Sequence, residues 1–272
     1  MDGLFEALLL ALLGVVVGSV GSLLGVGGGL IVAPVLLMLY NFDPGRAAGT
    51  SLLVVIMSAI SATVAYIKQR RVDVEMGLGF TIGTVPGSVI GSLSTTFVGS
   101  GVFRIYFASM LILSALYIVF RSRLGAGSGG LLKGGRQSRI VDRLGREHVY
   151  SFNPYLVVAF AVLSGFISGF FGVGGGIINV PVMIILLGVP AYIATATSHF
   201  VLVWTALTGI VTHALLRHID PIMGGLVSAG ALLGAQIGAK ASEKASSRAL
   251  ELFFAFFLIA VAINLLFQSI AR

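Results

Sequence analysis

The chain of 272 residues contains no cysteine, and only 10% of it is charged. The first absence excludes disulfides, thiolate nucleophiles and thiolate metal centres, and leaves the redox compartment unread. The second excludes an ordinary water-soluble domain, in which about a quarter of the residues carry charge. Acids are scarcer than bases, 10 against 17. Asp2, Glu6, Asp43, Asp73, Glu75, Asp142, Glu147, Asp220, Glu243 and Glu251 all fall at the ends of apolar segments or between them. No carboxylate sits inside a segment, so nothing points to a buried cation site, a carboxylate proton relay or paired-acid catalysis. The histidines, His148, His199, His213 and His218, are too scattered for a metal constellation. Leu163-Ser164-Gly165 lacks the preceding glycine of an intramembrane serine motif. An enzyme, a cofactor and a metal are therefore not expected.

What the chain does contain is apolar: 57% of residues are hydrophobic and the mean hydropathy is +1.05. Repeated apolar runs of about 20 residues predict membrane spans. They must be helical, because lipid offers the backbone no partner. The expectation is an all-α integral membrane protein, multi-pass in the cell membrane. The N-terminus, with Asp2 and Glu6 and no basic stretch, is read as a first span and not as a cleaved signal. The net charge of +7 fits basic cytoplasmic loops better than nucleic acid.

The sequence Gly-Val-Gly-Gly-Gly occurs twice, at 25–29 and 172–176, an offset of 172 − 25 = 147. The same offset relates Pro34 to Pro181, Thr50-Ser51 to Thr197-Ser198, and Asp73 to Asp220. It also relates Gly83, Gly87 and Gly91 to Gly230, Gly234 and Gly238. The chain thus divides into a repeat at 1–120, a Gly- and Arg-rich linker at 121–153, and a second repeat at 154–272. The linker is expected to be cytoplasmic and flexible, with a short helix around Arg139–Arg146. Each repeat holds about five helical segments. In the first these are 4–24, 30–42, 47–67, 74–98 and 102–120. In the second they are 154–171, 177–189, 192–216, 221–239 and 249–267. The second segment of each repeat is about 13 residues, or about 20 Å of helix, too short to span a core of about 30 Å. Broken or re-entrant helices are expected at the glycine motifs, with both prolines keeping the backbone irregular.

Basic residues follow the third segment of the first repeat (Lys68, Arg70, Arg71) but the fourth segment of the second (Lys240, Lys244, Arg248). Placing both with the linker in the cytoplasm requires two inverted-topology repeats, with both termini outside. A midplane break in matching places of two inverted halves points to a binding site. Helix N-termini expose N–H groups and partial positive charge, which suit an anion. Gly27, Gly28, Gly29, Gly174, Gly175 and Gly176 are candidate anion contacts; the alternative is that they only let helices pack closely. Thr50, Ser51, Thr197 and Ser198 are read as opening the third segments and adding hydroxyl donors. Asn179, His199 and Gln236 are polar where the first repeat has Val32, Leu52 and Val89, so the site is expected to be polar mainly from one side. His199 is read as a substrate contact or proton carrier, against a satisfied buried histidine. His213 is read as an interfacial anchor. The glycines of the fourth segments recur every four residues, as close-packing faces do.

GSLLGVGGGLIVAPVL and SGFFGVGGGIINVPVM resemble the paired signature of the TauE/SafE family of sulfite exporters, and the two Thr-Ser pairs are similar to its pattern. The resemblance covers both halves and leaves out the linker. It implies a secondary transporter of a sulfur anion such as sulfite, or of an organosulfonate such as sulfoacetate. A proton-coupled exporter is the first reading. An anion channel and a non-transporting membrane scaffold are the alternatives. The expected partners are a small anionic substrate and membrane lipids, with a homodimer left open and nucleic acid excluded.

Overall fold

A computed structural model describes residues 2–124, 135–244 and 248–270. The first repeat forms α1 (Asp2–Leu24), α2 (Gly29–Met38), α3 (Pro44–Lys68), α4 (Val74–Ser94) and α5 (Ser100–Leu124). The second forms α6 (Pro154–Phe171), α7 (Gly176–Pro181), α8 (Ala191–Leu215), α9 (Pro221–Ala241) and α10 (Arg248–Ile270). Eight of these are long and apolar enough to cross a membrane, and α2 and α7 are not. Helix starts follow local chemistry. The carboxylates of Asp43, Asp73 and Asp220 and the amide oxygen of Asn153 accept N–H groups of the first turns. Pro44, Pro154 and Pro221 occupy first positions, where no donor is missed.

Gly25, Gly27 and Gly28, like Gly172, Gly174 and Gly175, take φ between 74° and 86°. That left-handed backbone is open to glycine and strained for side chains with a Cβ, so the chain reverses here. Tyr40 Oη, just past α2, donates to Glu6 Oε1 at 3.2 Å, which brings α2 back to the start of α1. α2 stays α-helical past Pro34. α7 ends at Pro181 and continues as a π-helical turn, Val182–Leu186.

The repeats interlock. α1 packs along α9, and α4 along α6. A Cβ at Gly230, Gly234 or Gly238 would press on the carbonyls of Ala11, Val15 and Ser19; one at Gly83, Gly87 or Gly91 would press on those of Val158, Val162 and Phe166. Adding 147 to each α1 partner gives the α6 partner. The contacts advance in step, so the helices of each pair run in the same direction. α3 and α8 pack together at the centre, and α5 packs on α10.

Two ends can be told apart. At the α1 end, Arg46 on α3 pairs with Asp220 before α9 at 2.6 Å, and Ser269 on α10 bonds Gly101 on α5. At the other end, Arg71 after α3 bonds the Tyr192 carbonyl of α8, and Gln69 Nε2 bonds Ala239 O of α9.

The linker departs from expectation. α5 continues to Leu124, and β1 (Arg136–Val141) and β2 (Glu147–Phe152) form an antiparallel hairpin where a flexible stretch with a short helix was expected. The reason lies in the turn. Asp142 Oδ1 accepts the amides of Leu144 and Arg146, and Gly145 has φ 78°. An Asp-x-x-Gly sequence closes a hairpin more readily than a helix. Tyr150 and Phe152 bury against Met76, Phe80 and Val157.

Candidate functional site

The two glycine breaks meet each other. A Cβ on Gly29 would stand 2.6 Å from Val173 Cα, and one on Gly176 2.8 Å from Val26 Cα. Gly27 and Gly174 face the same two side chains, Val55 and Leu202. Ser51 Oγ donates to Gly172 O at 2.8 Å and Ser198 Oγ to Gly25 O at 2.9 Å, so each repeat ties down the other's break. The amides of Gly28, Gly29 and Leu30, and of Gly175, Gly176 and Ile177, make no backbone hydrogen bond outside the helices among the described residues. They are buried N–H groups at the starts of α2 and α7. Beside Gly176 lies an apolar crevice bounded by Leu24, Val26, Tyr117, Ile118, Ile177 and Val180.

Thr50-Ser51 and Thr197-Ser198 do not open α3 and α8, as the sequence suggested. The helices start six residues earlier, at Pro44 and Ala191, so these pairs lie in the second turn. Thr50 Oγ1 accepts the Asp220 amide at 2.9 Å, and Thr197 Oγ1 accepts the Asp73 amide at 3.0 Å. Gln236 on α9 donates to Ser61 O of α3 at 2.6 Å and sits in that helix contact. Asn179 and His199 differ from these. Both are fully buried, and among the described residues neither Asn179 Nδ2, Asn179 Oδ1 nor His199 Nε2 has a partner. His199 Nδ1 lies 3.0 Å from Thr195 O, a pure acceptor, so Nδ1 carries the hydrogen and the neutral ring leaves a bare Nε2. The ring of Tyr66 lies 5.4 Å away. Buried polar atoms without partners are costly and call for an explanation. Asn179 lies in the first turn of α7, where its amide bonds Gly175 O, and His199 follows Ser198, which bonds Gly25 O.

His213 is not an interfacial anchor. It is buried, with Nε2 2.9 Å from Gly169 O and Nδ1 3.2 Å from His218 Nδ1. Arg71, one of a basic run in the sequence, is only 1% exposed. Burial holds its pKa below the usual arginine value. Only the counterpart rule could have singled these out: 66 + 147 = 213 and 71 + 147 = 218.

The hairpin covers the Arg71 end. Tyr150 Oη and Ser138 Oγ both donate to Asp73 Oδ2 at 2.6 Å, and Arg136 pairs with Glu75 at 2.5 Å. Burial, and then Asp73, push the Tyr150 pKa up, so it remains a donor. Burial pushes the Asp142 carboxyl up, but hydrogen bonds from Arg146 and Leu144 outweigh it and hold it below the usual carboxylate value. Asp220 is held low in the same way, against burial, by Met223, Arg46 and Ile222.

Among described residues, no group of three His, Cys, Asp or Glu could hold a metal. The family described as sulfite exporter TauE/SafE matches residues 10–265. The "Probable membrane transporter protein YunE" of Bacillus subtilis is 32% identical over 96% of this chain and 98% of its own. A "Probable membrane transporter protein" of Methanocaldococcus jannaschii is 28% identical over 75% of this chain and 71% of its own. The "Probable membrane transporter protein YfcA" of Escherichia coli is 26% identical over 80% and 73%. No solved structure matches.

Proposed function

Because the chain belongs to the sulfite exporter TauE/SafE family, we propose that it is a secondary carrier that exports a small sulfur-containing anion with proton coupling. As a member of that family with eight candidate spans, it is a multi-pass transporter of the cell membrane and not an enzyme. Sulfite, sulfoacetate or a related organosulfonate is the substrate class. The observation that carries the reading is the set of unpartnered buried groups at the glycine junction. These are Asn179 and His199 Nε2, and beside them the amides that start α2 and α7 make no backbone hydrogen bond outside the helices among the described residues. The Asn179 amide and the helix-start amides offer donors to an oxyanion without a fixed cation, so the site can also let go. A bare Nε2 cannot donate to an anion unless it gains a proton, which favours a substrate or a state that brings one.

The inverted arrangement is part of the proposal. It is supported by α3 starting at the Arg46–Asp220 end while its counterpart α8 starts at the Arg71 end. On this reading the hairpin end is cytoplasmic and the chain termini are outside.

The test is uptake and counterflow of sulfite, sulfate, thiosulfate and sulfoacetate in liposomes holding the purified protein. Saturable flux with counterflow is expected. Flux without saturation makes the protein a channel, and no flux of any of these anions sinks the reading.

A further inference from the structure

The two ends of the bundle carry counterpart side-chain pairs, and they differ in one respect. At the hairpin end, Tyr66 Oη donates to Ser22 O at 2.6 Å, and the Arg71 guanidinium lies 4.7 Å from the Tyr66 ring. At the α1 end, His213 Nε2 meets Gly169 O at 2.9 Å, and the His218 ring lies 5.5 Å from that of His213. The acceptors also correspond, since 22 + 147 = 169. Both acceptor carbonyls lie one turn before a glycine break.

Arg71 is a buried cation whose hydrogen bonds all go to neutral oxygens, those of Gln69, Ser242 and Tyr192. Among described residues no carboxylate reaches it within 4 Å, and the Tyr192 ring covers it at 3.4 Å. Glu243 acts on this charge through space but does not hydrogen-bond it, so the guanidinium can still attract an anion. The histidine pair is different. Gly169 O only accepts, so His213 Nε2 carries a hydrogen, and a neutral His213 has a bare Nδ1. That atom takes the Nδ1–H of His218 across 3.2 Å. One hydrogen fills the contact. A further proton goes to the bare Nε2 of His218, keeps the contact as a charged N–H donor and creates a positive charge.

We propose that the His213–His218 pair is a proton-linked anion station. When protonated it does at the α1 end what Arg71 does permanently at the hairpin end. The inference rests on the proposed anion transport. The groups facing the pair are few. From the start of α3 come Asp43, which caps that helix, and Arg46, which is paired with Asp220. From the turn that carries His218 come Arg217 and Asp220. Gly45 and Gly49 of α3 lie against the two rings, and α6 brings only the Gly169 carbonyl. The Arg46–Asp220 pair is already neutral as a unit, so a new charge on the histidines is not cancelled there.

The experiment is counterflow at equal pH on both sides, so that no gradient drives it. It uses sulfite, and sulfoacetate, whose acids are both ionised above about pH 5. In the unaltered chain, half-saturation should rise with pH by up to about tenfold per unit, the limit for one linked proton. His213→Tyr with His218→Arg copies the other end and should hold half-saturation within about twofold from pH 5.5 to 7.5. His218→Gln, which keeps the His213–Gly169 bond, should also flatten the profile, but at weaker affinity. Flattening in either folded variant supports the station. An unchanged slope in both, a flat profile in the unaltered chain, or a slope lost only in His199→Gln overturns it. So does loss of counterflow in the folded double variant, since its arginine supplies the cation. If the unaltered chain moves neither anion, the proposed function itself fails.

Discussion

Replacing Gly234 by alanine tests how the repeats are held together. Its Cβ would press on Val15 O and stand 2.8 Å from Val15 C and 2.9 Å from Ser19 N, all backbone atoms of α1. Ordinary contact begins near 3.4 Å, so the helices must part by at least about half an ångström. A gap of that size forfeits about a quarter of each dispersion contact along the seam. Gly230 and Gly238, one turn to either side, are as close, so the loss spreads over several turns. Ser19 Oγ, 3.1 Å from Gly234 O, loses its second acceptor as well. Overpacking of this kind costs about 3 kcal/mol, offset by about 1 kcal/mol of better helix propensity, for a net loss of about 2 kcal/mol. That lowers Tm by about 4–8 °C in a chain of this length. The assay is thermal unfolding of detergent-purified protein. Gly225→Ala on the same helix is the control, because a Cβ there meets nothing within 4 Å; its Tm should stay level or rise. Gly87→Ala, the counterpart on α4, should cost the same as Gly234→Ala. If Gly234→Ala and Gly225→Ala melt together, close packing at the glycines does not hold the repeats.

Asn179→Val should leave Tm unchanged or raise it, because it removes an unpartnered amide from the core, yet it should abolish sulfite counterflow; normal counterflow would show that the amide is incidental. Gly176→Val is a packing lesion first, since Gly25 and Val26 of the other break lie against it; loss of both Tm and binding is expected. The Asp142 carboxyl is held below its ordinary 3.8, so its contribution to the hairpin is present above that value and is lost as pH falls through the lower folded one. Hydrogen-exchange protection at 142–146 should accordingly hold down to about pH 4 and fall below it. For orientation, Ser128 of the linker lies outside the described residues, whereas Leu144 is 63% exposed at the hairpin turn and serves as the labelling site. Leu144→Cys should resist an impermeant thiol reagent in intact cells and react once they are opened.

Helix positions were legible because both of their causes are local. Asp43-Pro44, Asn153-Pro154 and Asp220-Pro221 mark starts by capping, and α6 and α9 begin where the sequence placed them. The glycine breaks were equally local, since left-handed backbone follows from the residue type. What a side chain faces is not local. Ser51 and Ser198 read as free hydroxyls because their acceptors, Gly172 and Gly25, come from the other repeat. Gln236 read as a site residue for the same reason; its partner Ser61 is 175 positions away. His213 lies near the end of α8 along the chain, and only the crossing of α3 and α6 buries it. The hairpin was missed because its basic residues suggested a solvated linker, whereas Tyr150 and Phe152 on alternate positions were the strand signal.

The seam between α1 and α9 also sets a schedule for synthesis. The partner of the first helix to leave the ribosome is the ninth, whose last residue, Ala241, lies 241 − 24 = 217 positions beyond the end of α1. At about 5–20 residues per second, α1 waits about 10–45 s in the bilayer before its partner exists. Through that interval Gly14 and Gly18 and the carbonyls of Ala11 and Val15 form a bare groove that any small-residue helix can enter. α4 waits a shorter time, because α6 follows soon after it. The late-arriving second half therefore completes the first half as well as itself. Chains truncated after α5 should be degraded or captured by other membrane helices, whereas the two halves made together from separate messages should find each other.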